Sequence, residues 1–254
     1  ISNHDIITPV QIFHKKSASR LHTIRTREIK HMHGNRTRDK LLAGKHVHVL
    51  GGHNHTAATI DFIGPLGFDG FWIEGEHAGV TFDKIGDVSR ACDLWGISSV
   101  MRVHDNNAGL IGRSLDCGVN GIVVPHVSNK EAAENVVKAT RFAPIGMRGM
   151  YSGRRGYGVE NYIQKANDEI LTVVLIEEME AVNNLDEILT VDGIDVFFVA
   201  PGDLAQTMGH VGDWSRPEVQ DVVSGTLKRI VDAGRIAGTL NNPDTLQEHL
   251  DIGV

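Results

Sequence analysis

The sequence predicts an α/β fold wound as a (β/α)8 barrel, and three observations predict it. Seven short runs are nearly continuously apolar, as strands covered on both faces must be. Each is followed by a stretch whose apolar residues recur every three or four positions, the pattern of a helix with one buried face. The turn after the first run, "LGGHNHT", lacks the G-x-G-x-x-G spacing that a dinucleotide-binding open sheet carries there. A length of 254 residues also suits a single barrel.

The elements follow in order. Residues 1–35 precede the first unit and are read as a basic, His-rich, poorly ordered leader, with the barrel domain spanning 36–254. Residues 1–40 hold nine Lys/Arg against three Asp/Glu, a charge of +6 that leaves −13 for the remainder. "HVHVL" is the first strand, with helix "TAATIDFIGPLG" behind it; "FWIEGEH" is paired with "TFDKIGDVSRACDLWG". "SSVMRV" leads into "NAGLIGRSLDCG", and "GIVVPHV" into "NKEAAENVVKATRF". "LTVVLIEE" with "AVNNLDEILTVDG", "DVFFVAP" with "PEVQDVVSGTLKRIVDAG" and "IAGTL" with "PDTLQEHLDIG" complete seven units. Gly67, Gly96, Gly118, Gly193 and Gly234 fall where helices need a left-handed C′ residue. The chain stops where an eighth strand is expected, so the eighth strand and last helix are expected to be missing from it. "IITPVQIF" near the start is the other segment that could fill the gap. The first residue is not Met, which is expected of a processed, engineered or fragmentary chain.

Several function classes are excluded. No apolar run approaches the roughly 20 residues that span a bilayer, and "ISNHDIITPVQIFHKK" lacks the order of a secretory signal. No membrane partner is expected, and cytoplasmic localisation is. Cys92 and Cys117 stand far apart, as buried free thiols in a reducing compartment do. The acidic body shows no aromatic-interleaved basic stripe, so no nucleic-acid partner is expected either.

In a parallel barrel the chemistry sits where strands end, at the C-terminal face. Core strand Phe71-Trp72-Ile73 breaks off into Glu74-Gly75-Glu76-His77, Arg102 and His104 end the next, and His126 the one after. Glu177 and Glu178 follow the long apolar run, and Asp203 the strand after that. Acidic groups at neighbouring strand ends repel unless a cation or proton lies between them. Glu177 and Asp203 are therefore expected to hold a divalent metal, with water and substrate oxygens completing its shell. An all-oxygen site accepts Mg, Mn, Co or Zn alike. No Lys stands at a strand end for a Schiff base, since Lys45 precedes its strand and Lys130 opens a helix.

"EGEH", "MRV", "VVPHV", "FAPIGMRG", "IEEMEAVNNLDEIL", "DVFFVAPGDLAQTMG" and "RPEV" occur in the order of the HpcH/HpaI family, which the chain resembles over about residues 36–254. These are metal-dependent class II pyruvate aldolases; "VVPHV" also resembles the macrophomate synthase branch. The resemblance implies a TIM barrel assembled as a homo-oligomer, a hexamer that exchanges its last helix. It implies reversible cleavage of a 4-hydroxy-2-oxo acid to pyruvate and an aldehyde, by way of a pyruvate enolate at the metal. Carried over by residue, it makes Glu177 and Asp203 the metal ligands and Arg102 the contact of the pyruvate keto oxygen. His77 matches the catalytic histidine and Asp116 its acidic partner, while the N–H groups around Gly202 and Asp203 receive the pyruvate carboxylate. Glu74 stands where the family has Asp, and Leu175 where it has Gln.

These roles agree with the residue chemistry. Arg102 can stabilise a developing oxyanion, and an imidazole such as that of His77 can move the aldol hydroxyl proton. His126 is either a substrate contact or a hydrogen-bonded filler. His53 and His55 are within reach of the mouth, His46 and His48 would share one strand face as a second metal pair, and "GMRGMYSGRRGYG" reads as a mobile loop that brings Arg148 to an anionic substrate. Two other functions fit the scaffold: a CoA-thioester lyase of the citrate-lyase-β type, and a non-catalytic metal or 2-oxo-acid binding protein.

Overall fold

Seven parallel strands lie side by side in chain order, the winding of a barrel, whereas a doubly wound sheet reverses its order midway. This is seen in a computed structural model, which describes residues 34–52 and 54–254. The expectations placed on residues 1–33 and on His53 lie outside the described residues.

The chain enters through α1 (Arg36–Leu42), β1 (Val49–Gly52), α2 (Ala57–Ile63) and β2 (Gly70–Glu74). It continues through α3 (Phe82–Trp95), β3 (Ser98–Arg102), α4 (Ala108–Asp116), β4 (Gly121–Val124) and α5 (Lys130–Thr140). Next come α6 (Tyr162–Ala166), β5 (Leu171–Ile176), α7 (Met179–Asn183), α8 (Leu185–Ile188) and β6 (Val196–Val199). It finishes with α9 (Pro201–Thr207), α10 (Pro217–Asp232), β7 (Ile236–Thr239) and α11 (Leu246–Ile252). The five glycines predicted to stop helices all have positive φ, between 69° at Gly96 and 94° at Gly118. Among the described residues no helix is long and apolar enough to cross a membrane.

The strand period of two divides the core. Phe71, Ile73, Met101, Val174, Ile176 and Phe197 face the helices. Their alternates Trp72, Val100, Val123, Val173, Leu175 and Phe198 pack against one another inside the sheet. α1, which the sequence did not announce, closes the end where the strands begin. Its cap Asn35 is buried and donates to the carbonyls of Asn120 and Glu169, just ahead of β4 and β5. Thr37 donates to Asp69 ahead of β2, and Leu41 packs on the inner core.

Several expectations are corrected. The first strand begins at Val49, because the His48 N–H is taken by the Asp69 side chain at 2.9 Å. His46 and His48 are exposed ahead of it, and His46 turns to the Val254 carbonyl, so they do not pair on a strand face. Among the described residues no group of three or more His, Cys, Asp or Glu side chains is placed to hold a metal ion by itself, so side chains offer at most a pair of ligands. The "AVNNLDEILTVDG" helix divides at Asn184 into α7 and α8. Finally, the Gly- and Arg-rich loop is tied down: Arg154 and Arg155 both reach Asp93, at 2.6 and 2.8 Å. Arg148 is buried over the Phe142 ring and paired with Asp116 at 2.8 Å, on the helical shell and not at the strand ends.

Candidate active site

The period of two carries charge to the mouth. Glu74 follows Trp72 on the inner face, Arg102 follows Val100, and Glu177 follows Leu175 one residue beyond β5. β2 and β3 are in register with Glu74 opposite Arg102. Arg102 Nη2 lies 2.7 Å from Glu74 Oε2, and its Nη1 lies 2.9 Å from Glu76 Oε2. Gly75 makes this return possible: a Cβ there would lie 2.4 Å from the Arg102 carbonyl, and only glycine permits that approach. One guanidinium thus bridges two carboxylates in a largely buried pocket.

Glu74 is the organiser of its loop. Its Oε1 accepts from the N–H groups of Glu76 and His77, at 2.8 and 3.0 Å. Its Oε2 accepts from the Trp72 indole and Arg102. Burial opposes its charge, but the Arg102 hydrogen bond, the two backbone N–H groups and the Arg102 charge outweigh it and hold its carboxyl below the usual range. Its own N–H donates to His55 Nε2 at 3.0 Å, which leaves the proton of a neutral ring on Nδ1. His55 is therefore buried beneath the mouth, and His104 is exposed beside it.

Glu177 is 2% exposed and accepts from the His126 N–H at 2.7 Å. Burial pushes its carboxyl up to about 7, and repulsion from Asp203 and Glu76 adds to this against the pull of His126. Asp203 stands in the first turn of α9 with Gly202; that turn has no side-chain cap, so its N–H groups remain available to an anion. The Trp214 ring lies against Gly202. His126 takes a left-handed φ of 55°. Its Nδ1 is 2.9 Å from Glu178 Oε1 and its Nε2 is 3.3 Å from Glu76 Oε1. Burial works against protonating this ring, but Glu178, Glu177 and Glu76 together raise it.

The structure therefore brings Glu74, Arg102, His126, Glu177, Gly202 and Asp203 to the strand ends. The His77 side chain is 61% exposed at the rim, its Nε2 3.8 Å from Glu76 Oε2. Asp116 is not among them: within the chain it ends α4 and is engaged by Arg148. Glu76, Glu178 and Ser128 are the participants the residue reading left without a role. Glu76 was signalled by the charged break after Ile73, Glu178 by its place beside Glu177, and Ser128 only as a hydroxyl two residues beyond His126.

Residues 49–250 match the family described as HpcH/HpaI aldolase/citrate lyase. A 2-keto-3-deoxy-L-rhamnonate aldolase of Klebsiella pneumoniae is 40% identical over 178 residues, 68% of this chain and 67% of its own. A hydroxypyruvate/pyruvate aldolase of Cupriavidus necator is 37% identical, covering 74% and 71% of the two chains. These relatives are named as aldolases, which are carbon–carbon lyases. Among solved structures, an HpcH/HpaI aldolase from Desulfitobacterium hafniense superposes with a TM-score of 0.79 at 25% identity, covering 85% and 86% of the two chains. Macrophomate synthase shares the fold at 19% identity and a TM-score of 0.73, covering 86% and 80%. The chain belongs to the HpcH/HpaI aldolase/citrate lyase family.

Proposed function

We propose that the protein is a metal-dependent aldolase that reversibly cleaves a 4-hydroxy-2-oxo acid to pyruvate and an aldehyde, and that its sheet is seven strands of a (β/α)8 barrel. From the family resemblance we add assembly as a homo-oligomer. The observation that carries the reading is the buried Glu177, whose carboxyl is pushed up by burial and by repulsion from Asp203 and Glu76. Five carboxyl groups (Glu74, Glu76, Glu177, Glu178 and Asp203) stand against the Arg102 guanidinium and the His77 and His126 imidazoles. Such an excess needs a proton or a cation, and an all-oxygen pair suits a hard divalent ion such as magnesium. Glu177 and Asp203 would hold it, and when bound it supplies positive charge opposite the oxygen that becomes anionic.

The chain's own groups do the rest. The uncapped first turn of α9 at Gly202 and Asp203 receives the substrate carboxylate. Arg102, fixed by Glu74 and Glu76, presents charge to the keto oxygen without having to reorganise. The C3–C4 bond breaks as the C4 hydroxyl loses its proton; the electron pair passes through C2 to the keto oxygen, and the enolate takes a proton at C3 to give pyruvate. His77, exposed at the rim, accepts the hydroxyl proton. His126, which shares the Glu76 carboxylate with His77, contacts the substrate beside it. Leu175, buried beside Phe198, makes the floor below this group apolar.

Pyruvate release from a panel of 4-hydroxy-2-oxo acids tests the reading. EDTA should abolish release and added metal restore it, and Glu177→Ala and Asp203→Ala should remove it. A folded, metal-loaded protein that releases no pyruvate from any member would sink the proposal.

A further inference from the structure

His126 holds an unusual position for a residue with a side chain. Its left-handed backbone directs its N–H onto Glu177 Oε1 while its ring extends into the mouth, about half exposed. Strained backbone of this kind persists only where the surroundings over-determine it, and it gathers at functional sites. The surroundings here are Glu178 and Ser128. Glu178 Oε1 takes the ring Nδ1 at 2.9 Å, and Glu178 Oε2 accepts a short hydrogen bond from the Ser128 hydroxyl. Asn184 steadies the same loop by donating to the Ser128 carbonyl at 2.9 Å.

A simpler role for Glu178 is available and is not taken. It stands at the N-cap of α7, yet its side chain makes no capping bond. The carboxylate reaches across to the β4 loop instead. That contact decides two things at once: which way the imidazole points, and where the His126 N–H meets Glu177.

We propose that Glu178 is a positioning residue which, anchored by Ser128, fixes the ring and backbone of His126 and through the His126 N–H orients the Glu177 carboxylate. This rests on the reading of Glu177 as a metal ligand. Partners of this kind, one bond removed from a ligand, commonly change metal affinity about 10–100-fold when lost.

Two readouts test it on the full chain. The first is Mn2+ binding, followed by the electron spin resonance of the free ion; the second is the proton resonance of the His126 ring N–H. Glu178→Ala should weaken Mn2+ binding by about tenfold or more and abolish the protected ring resonance. Glu178→Gln, whose amide oxygen can still accept from Nδ1–H, should keep both close to wild type, with the thermal midpoint little changed throughout. Ser128→Ala should act in the same direction more weakly, and it serves if Glu178→Ala does not fold. Wild-type Mn2+ affinity in Glu178→Ala, or a ring resonance that survives there, overturns the proposal. Equal loss in the Gln and Ala variants with a lowered thermal midpoint also overturns it, since that describes an ion-pair staple between loops. Should the wild type itself bind no Mn2+, the metal reading falls, and the ring resonance in Glu178→Ala decides the positioning claim.

Discussion

At the residue scale, Arg102 is the group on which the mouth most depends. Arg102→Ala leaves Glu74 and Glu76 facing each other in a buried pocket with no cation between them. Removing one partner of a buried ion pair costs about 3–5 kcal/mol, to be read from urea unfolding, and pyruvate release should be lost with it. Arg102→Lys keeps the charge but cannot bridge two carboxylates in a fixed fork, so it should recover stability before activity. Glu74 gives a prediction in pH. Its folded carboxyl titrates below the ordinary glutamate value of 4.5, so its contribution to stability is present above that value. It is lost as pH falls through the lowered one, because the unfolded chain takes up the proton first. The acid limb of a stability–pH curve should therefore flatten in Glu74→Gln; an unchanged limb would show that Glu74 is not the group being titrated. Glu74, Arg102 and Glu177 were legible in sequence because each continues the inward parity of an apolar strand. His126 with Glu178 and Ser128 was not, since their meeting depends on two loops whose paths no spacing fixes.

At the scale of elements, strands and long helices were legible and the pieces between them were not. α3 and α10 have 14 and 16 residues, long enough for an amphipathic face to be read. α1 has seven, and its burial comes from Asn35, Thr37 and Leu41, a mixture with no helical stripe. The displaced start of β1 has a similar cause, a side chain at Asp69 competing for a backbone N–H. Asn35 is where α1 is most exposed to test. Its side chain caps the helix through Arg38, accepts from Ser98 and donates to two buried carbonyls. Asn35→Ala should cost about 1 kcal/mol for the cap and a further 1–3 kcal/mol for the stranded groups. Urea titration with an unchanged slope would register this as a shifted midpoint, and a loss below about 0.5 kcal/mol would refute the plug role.

At the scale of the whole molecule, burial is graded across the sheet. Every residue of β4 and β5 is buried, β7 is mostly intermediate, and β1 is largely exposed. Amide exchange should follow that gradient, slowest in β4 and β5 and fastest in β1. Uniform protection from β1 to β7 would contradict it. The proposed groups straddle the gradient: Glu177 and Asp203 follow buried strands, and the β2 loop that carries His77 lies next to the exposed one. On the proposed reading, the ligand pair and the rim histidine therefore belong to differently buried parts of one sheet.

Trp72 has a use beyond packing. Its indole donates to Glu74, stands 5.5 Å from the Phe198 ring and 6.0 Å from the Arg102 guanidinium, directly under the mouth. Of the three tryptophans, Trp95 and Trp214 are the water-exposed ones, so Trp72 supplies the blue-shifted part of the emission. The protein carries its own optical gauge of occupancy. A 2-oxo acid binding above Trp72 should change the intensity or wavelength of that component, and titrating pyruvate into the full chain reads it without a dye, a coupled enzyme or turnover.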